Sequence, residues 1–565
     1  MHRALRFWPW LAAIGSGLLQ TACFAPFNQT WLCWIALTPL LAAILFSGEN
    51  SKRRWLRDLL LGYVCGLAFF WTVLSWVTTV TVPGWFLLQF YMALYFAPFG
   101  WFCGLLRPRP LQPVDVTKAS RGSLPNSPSP WTSSAVASSP LARSPWLKST
   151  YNLRLAFLLA SAWTTLEWLR GWVFTGWGWN GLGIALHANP PIIQIAEFTG
   201  VAGLSFMVAF ANVIAIATVR RFILETQVRP VKPHFDLTLT MVAIVAVMGF
   251  GVHALQLHPP TKTIRVAAVQ ANIPREEKFT PAFRQKIFDQ FARLTTLALQ
   301  SNPPPDLIVW PESSMPGPVL EDEESYRYVA NISASAKVDL LLGAIDEDIG
   351  HAYNAALLIS NGGEGVQIYR KLHLVPFGEY IPGRHVVPLL ARIIGDQVPG
   401  DFDAGEEYTV FRLTKSDTQV APLICFEDTI GDLTRRFVLG GANLLANVTN
   451  DGWFLRSAGS QQHLASAIFR CVETRRPMVR AANTGVTCFV DQFGRVTQQL
   501  LDEHGSQFTD GVLSGEVAVP TEREFTFYVR HGEIFAQCCA GVTVIALLSK
   551  LGQVFLRRRA SGRGD

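Results

Sequence analysis

Seven long apolar runs precede a charged, water-compatible block in this chain, and an eighth follows it. The runs fall near 8–25, 31–48, 56–79, 84–106, 153–174, 193–219, 236–256 and 533–553. A helix needs about 20 mostly apolar residues to cross a bilayer, so about eight spans are expected, with the short first two able to form one hairpin. A chain anchored before and after residues 262–520 must fold that block at a membrane surface. The expected domains are a seven-helix membrane region over 1–256, an aqueous domain over 262–520, a last span over 533–553 and a basic tail over 554–565. Composition agrees: with 50% hydrophobic and 16% charged residues, the chain is too apolar for a soluble protein and too charged for a pure bundle.

Charge placement predicts the orientation, because Lys and Arg gather in cytoplasmic loops. Arg3 and Arg6 precede the first run, and Lys52, Arg53, Arg54 and Arg57 follow the second. Further basic residues occupy 107–148 and 220–232, and Arg557, Arg558 and Arg559 follow the last run. The alternate loops 26–30, 80–83 and 175–192 carry no Lys or Arg. Both termini are therefore expected inside and the block outside, in the periplasm of a diderm cell. The net charge of +6 is spread over separate loops, so no nucleic-acid footprint is expected. The segment LLQTACFAP resembles a lipoprotein cleavage site before Cys23, but Gln20 replaces an aliphatic residue there and a retained helix is expected. Residues 108–150, rich in Pro and Ser, read as a cytoplasmic loop unable to bury a core.

Of nine cysteines, Cys425, Cys471 and Cys488 lie in the block, and a bridge between Cys471 and Cys488 is possible but unforced. No CxxC or HxxxH spacing points to a metal, and none is expected.

The block alternates strand-like runs (264–273, 306–312, 339–345, 354–360, 365–375, 420–427, 443–449, 478–484, 486–491) with helix-like runs (281–300, 322–336, 429–439, 461–475). Buried-looking strands between amphipathic helices predict sheets covered by helices. Three motifs carry chemistry. In LIVWPESSMP, Glu312 follows a buried strand, where partial desolvation can make it a general base; taken alone, the motif reads sooner as a surface residue at a strand end. In YRKLHLVPFGEY, Lys371 sits in an apolar strand, which is costly unless it is paired or meets a developing negative charge. In APLICFEDTIGDL, Cys425 ends a strand, and Asp428 with Thr429 reads as the cap of the next helix. A thiol at such a helix start is shifted toward thiolate, whereas a lone buried cysteine is usually a small hydrophobe.

Taken in order, WPE, RKxHLVPFGEY and ICFED resemble the nitrilase (carbon–nitrogen hydrolase) superfamily, together with VAAVQANIP, NVTNDGWF and RPMVRAANTG. With the block lodged before the last span, the whole chain resembles the apolipoprotein N-acyltransferases of bacterial lipoprotein maturation. The resemblance implies an αββα sandwich fused to an all-α membrane bundle in the bacterial inner membrane. It implies Cys425 as nucleophile, Glu312 as general base, Lys371 as oxyanion stabiliser, and Glu379 and Glu427 as supporting carboxylates. The acyl donor would be a phospholipid such as phosphatidylethanolamine, the acceptor a diacylglyceryl apolipoprotein, and no cofactor is required.

Two aromatic residues depart from the family pattern: Phe426 stands where tyrosine is common and Phe279 where a tryptophan aligns. Trp453 matches an aromatic at the pocket mouth. Asn447 and Asn450 are expected to bond nearby backbone, and His463, Arg470 and Glu473 to make structural polar contacts. In EWLRGWVFTGWGWNGLG, Glu167 and Arg170 have the i, i+3 spacing of a pair near the outer end of a span. Intramembrane charges are functional candidates, and this stretch is expected to help form the lipid's way into the site. Two other readings stay open on sequence alone: a membrane-tethered amidase passing its acyl group to water, and a lipid-binding or transport bundle with an inert domain.

Overall fold

The computed structural model describes residues 7–48, 51–107, 145–225, 233–278, 280–381 and 401–561. Phe279, Arg3, Arg6, Arg229, Lys232 and most of the 108–150 loop lie outside them.

Five helices are long and apolar enough to cross a membrane: Arg54–Val73, Val82–Leu106, Ala196–Ile223, Phe235–Gln256 and Ile534–Leu556. The other three expected spans differ. Trp8–Ala22 has only 15 residues. The run 31–48 divides into a 3-10 turn, Thr30–Trp34, and the eight-residue helix Thr38–Leu45, whose Pro39 belongs at a helix start, not an interior. Pro145–Arg170 has 26 residues but includes Lys148, Arg154, Glu167 and Arg170, which lower its apolarity. Small residues set the packing: a Cβ on Gly62 would meet the Phe96 carbonyl oxygen at 2.3 Å, and one on Gly100 the Asp58 oxygen at 2.3 Å. Helices Arg54–Val73 and Phe96–Leu106 thus touch backbone to backbone, as small residues allow in membranes.

The block folds as expected, into two six-stranded sheets. The first has the order β12 (Gly511–Pro520), β1 (Thr261–Gln270), β2 (Leu307–Val309), β3 (Asp339–Asp348), β4 (His351–Ser360), β5 (Gly365–Arg370). The second has β11 (Val496–Gln499), β10 (Cys488–Val490), β9 (Met478–Ala482), β8 (Leu444–Thr449), β7 (Gln419–Ile424), β6 (Phe411–Arg412). Strand alternation divides the core. Val266, Ala268, Val309 and Leu358 join one apolar cluster with Val420, Leu423 and Leu445 of the second sheet. Val269, Ile308, Leu340 and Leu357 point the other way, onto Phe288, Phe291 and Val329 of helices Arg284–Leu299 and Glu323–Ala336.

The helix Gly459–Thr474 is buried at all but two of its positions, Gln461 and Leu464, because it lies between the second sheet and the bundle. Gln462 makes the joint. Its Oε1 accepts from Trp76 Nε1 at 3.0 Å and Asn180 Nδ2 at 3.2 Å, and its Nε2 donates to the Ala25 and Val73 carbonyls at 2.8 and 3.2 Å. Thr79 Oγ1 donates to the Trp453 carbonyl at 2.9 Å, and Gln194 Nε2 to that of Phe493 at 2.9 Å.

Candidate active site

Glu312, Lys371 and Cys425 each sit just past a strand end, after β2, β5 and β7. Glu312 can lie against β3 because residue 343 is glycine: a Cβ there would stand 2.4 Å from the Glu312 Cα. Asn354 on β4 then reaches across, its Nδ2 donating to Glu312 Oε1 at 2.8 Å and to Glu379 Oε1 at 2.6 Å. Lys371 is 1% exposed, and its Nζ donates to both oxygens of Glu379 at 2.9 and 2.8 Å. Burial alone would lower this ammonium, but Glu379, then Cys425 and Glu312, raise it, so Lys371 stays charged. Glu312, buried, is not the surface residue that its motif alone allowed.

Cys425 opens a tight turn, Cys425–Thr429, with φ of 51°. A non-glycine residue in this region costs about 1–3 kcal/mol, so the surroundings must hold it. Glu427 does so. Its Oε2 accepts from Ile424 N at 2.9 Å, while Oε1 accepts from Leu372 N at 2.9 Å, His373 N at 3.1 Å and Tyr369 Oη at 2.8 Å. One carboxylate thus pins the Cys425 turn to the strand end that carries Lys371. Burial raises its carboxyl to about 7, against Lys371 and the N–H donors. Asn447 Nδ2 donates to the Cys425 carbonyl at 3.0 Å, and Asn450 Oδ1 accepts from Gly452 N at 3.2 Å, both as expected.

The cap expectation fails. The next helix, Gly431–Leu439, starts at Ile430 without a side-chain cap, and Thr429 Oγ1 donates to the Phe426 carbonyl at 2.8 Å. Asp428 instead enters a buried charge cluster: it accepts from Arg480 and lies 2.8 Å from His463 Nε2. Asp451 lies 3.0 Å from His463 Nδ1 and accepts from Arg480 Nη2 at 3.1 Å. All four side chains are fully buried. The thiol is not shifted toward thiolate either; burial, then Glu312, push it up, and Lys371 opposes them. Arg470 and Glu473 pair at 2.7 Å, the structural contact expected. Cys471 and Cys488 are both free.

The bundle supplies an aromatic wall. Phe426 stacks on Trp179 at 5.8 Å and on His373 at 5.8 Å, and Trp179 stacks on His463 at 4.8 Å. Glu167 and Arg170 do not form the expected pair, because each is taken by the loop that carries Trp179. Glu167 Oε1 accepts from Trp163 Nε1 at 2.8 Å and Leu182 N at 2.7 Å; Arg170 Nη2 donates to the Trp179 carbonyl at 3.1 Å. Within this loop Phe174 is 83% exposed. Trp453 lies under the Arg275 guanidinium at 3.5 Å. Among the described residues no cluster of His, Cys, Asp and Glu could hold a metal.

The carbon-nitrogen hydrolase family matches residues 265–526, and the apolipoprotein N-acyltransferase N-terminal domain matches 16–214. An apolipoprotein N-acyltransferase of Geobacter metallireducens is 32% identical over 558 residues, covering 96% of this chain and 95% of its own. The chain belongs to the apolipoprotein N-acyltransferase family. The Bradyrhizobium diazoefficiens apolipoprotein N-acyltransferase is 29% identical across 95% of each chain. A solved carbon-nitrogen hydrolase from Helicobacter pylori G27 matches 49% of this chain and 95% of its own, at 16% identity and a TM-score of 0.35.

Three residues of this N-acyltransferase escaped the sequence reading: Asn354, Lys278 and Arg480. Lys278 Nζ donates to the Glu312 carbonyl at 2.7 Å. The Gly343 contact is directly testable. Gly343→Ala should lower the rate of N-acyl transfer about 10- to 100-fold, since its Cβ must displace Glu312 and misplacement by about 1 Å costs that much. Comparing initial rates and melting temperature separates this from unfolding; an unchanged rate would show that the backbone yields freely.

Proposed function

We propose that this protein moves an acyl chain from a membrane phospholipid to the α-amino group of the N-terminal S-diacylglyceryl-cysteine of apolipoproteins, by way of a thioester on Cys425. The observation that carries it is the joint placement of a charged Lys371, a carboxylate at Glu312 and a sulfur on a strained turn, behind a wall lent by the bundle. Because the resting thiol keeps its proton, Glu312 takes that proton as sulfur attacks the ester carbonyl. The tetrahedral oxyanion develops beside Lys371, a stabilisation worth about 3–4 kcal/mol per donor. The carbon–oxygen bond then breaks, and the alkoxide of the lysophospholipid recovers the proton from Glu312. In the second half the incoming amine attacks the thioester and gives a proton to Glu312. The carbon–sulfur bond breaks, sulfur is reprotonated, and an amide is left.

We read the chain as crossing the inner membrane eight times, with both termini in the cytosol and the 262–520 domain in the periplasm. The Lys- and Arg-free loops 26–30, 80–83 and 175–192 support this. So do the ion pairs Arg107–Asp58 and Arg221–Asp236, at 2.9 and 3.2 Å, near helix ends that adjoin the basic loops. The loop 171–182, gripped by Glu167 and Arg170, is our candidate for the route by which lipid reaches the sulfur, with Phe426 against its Trp177 and Trp179; Trp453, under Arg275, is our candidate for the pocket mouth.

Lysophospholipid release with and without a diacylglyceryl peptide tests the reading. Without peptide, release should stop near one equivalent per enzyme; with peptide, it should continue in step with amide formation. Steady release without peptide, or hydrolysis of small amides faster than transfer, would mean that water is the acceptor and the protein is an amidase.

A further inference from the structure

Lys278 is a charged group beside Glu312 that has neither a step in the proposed reaction nor a carboxylate partner among the described residues. It ends the short helix Arg275–Lys278, is buried, and among the described residues bonds only the carbonyl oxygen of Glu312, at 2.7 Å. A buried ammonium held by one neutral oxygen is costly unless a negative charge is near. The balance of charge around the sulfur shows which one. Lys371 is neutralised by Glu379, and Asp451 by Arg480 and His463. Glu427 is held by N–H groups and Tyr369. Glu312 has only the neutral amide of Asn354 hydrogen-bonded to its carboxylate among the described residues; Lys371 also attracts it but is directly paired with Glu379, which leaves Lys278, behind the Glu312 backbone, as the cation without a carboxylate of its own.

We propose that Lys278 is a positioning residue that serves as counter-cation to the Glu312–Cys425 pair, compensating one negative charge as it passes from carboxylate to sulfur. The assignment rests on the roles of Glu312 and Cys425 proposed above. Burial lowers the ammonium to about 8 while Glu312 and Cys425 hold it up, as expected of an amine whose partners are that pair.

Two effects of Lys278, its charge and its grip on the Glu312 carbonyl, are separable. Lys278→Gln keeps a hydrogen-bond donor without charge, Lys278→Arg keeps the charge, and Lys278→Met keeps neither. The full-length variants would be followed by iodoacetamide labelling of the Cys425 peptide across pH and by lysophospholipid release. The Met and Gln variants should both shift the labelling midpoint up by about one unit and lower kcat about tenfold, with KM for phospholipid within about twofold. Arg should restore kcat to within about threefold of the parent. A Gln variant matching the parent in midpoint and kcat would overturn the proposal and leave only a backbone tether. If the parent itself neither labels at Cys425 nor releases lysophospholipid, the assignment of Cys425 fails, and this one with it.

Discussion

Cys425→Ala protein incubated with phospholipid should carry no acyl adduct and release no lysophospholipid, whereas the parent gains one acyl mass on the Cys425 peptide. The expected loss is about 10⁴-fold or more in rate, because the proposed route holds the acyl chain on the Cys425 sulfur between donor and acceptor. Cys425→Ser should be nearly as inactive, since a hydroxyl is harder to ionise than the thiol in the same dry surroundings. Both variants should keep their melting temperature, because Glu427 holds the turn through the Ile424, Leu372 and His373 N–H groups and not through sulfur. Intact-mass and peptide mass spectrometry decide the matter. Active parent protein without an adduct, or full activity in the Ala variant, would rule out a thioester.

Arg480→Met should destabilise the carbon-nitrogen hydrolase domain by about 3–5 kcal/mol, the usual cost of leaving a buried charge without its partner. The guanidinium faces Asp428, Asp451, the Asn447 amide oxygen at 3.0 Å and the Val486 carbonyl at 3.2 Å, with no water-exposed surface. Asp428 lies within the Cys425 turn and Asn447 bonds its Cys425 carbonyl, so activity should fall before the domain unfolds. Denaturant titration in detergent, read by Cys425 labelling, measures both effects; a loss below about 1 kcal/mol would mean that the cluster relaxes by taking up protons. The same cluster gives a pH signature. Against burial, Asp428 raises His463, so its contribution is complete below the unfolded value, about 6.5, and is lost as pH climbs through the higher folded value. Against burial, Arg480 and His463 lower Asp451, so its contribution is lost on acidification below the carboxylate range. Stability should therefore peak between these limits and fall on both sides.

Much of this was legible in the chain, for a physical reason. Glu312, Lys371 and Cys425 each interrupt or end an apolar run, and a polar residue where burial begins or ends is conspicuous. Asn354 is not, because it stands among ordinary strand residues and its amide matters only once β4 lies near both Glu312 and Glu379. Lys278, in REEK, reads as a solvated turn. β12 escaped because GVLSGEVAVP leaves one face in water, yet it pairs with β1 from Thr261↔Pro520 to Gln270↔Gly511. The cap at Asp428 was misread because a carboxylate before a helix looks the same in sequence whether it meets N–H groups or an arginine 52 positions away. Likewise, spacing alone offered Glu167 to Arg170, while the fold offered each a backbone group of the Trp179 loop.

The seam at Gln462 bears on how this protein can be handled. Cut free of its helices, the 262–520 segment would expose the Gln462 amide, stripped of four partners, and the imidazole of His463 without the indole that covers it. Detergents or truncations that loosen this junction would silence the enzyme from behind, leaving every reacting group in the chain. Inhibitor screening is therefore better served by the intact protein in lipid nanodiscs than by an excised soluble fragment.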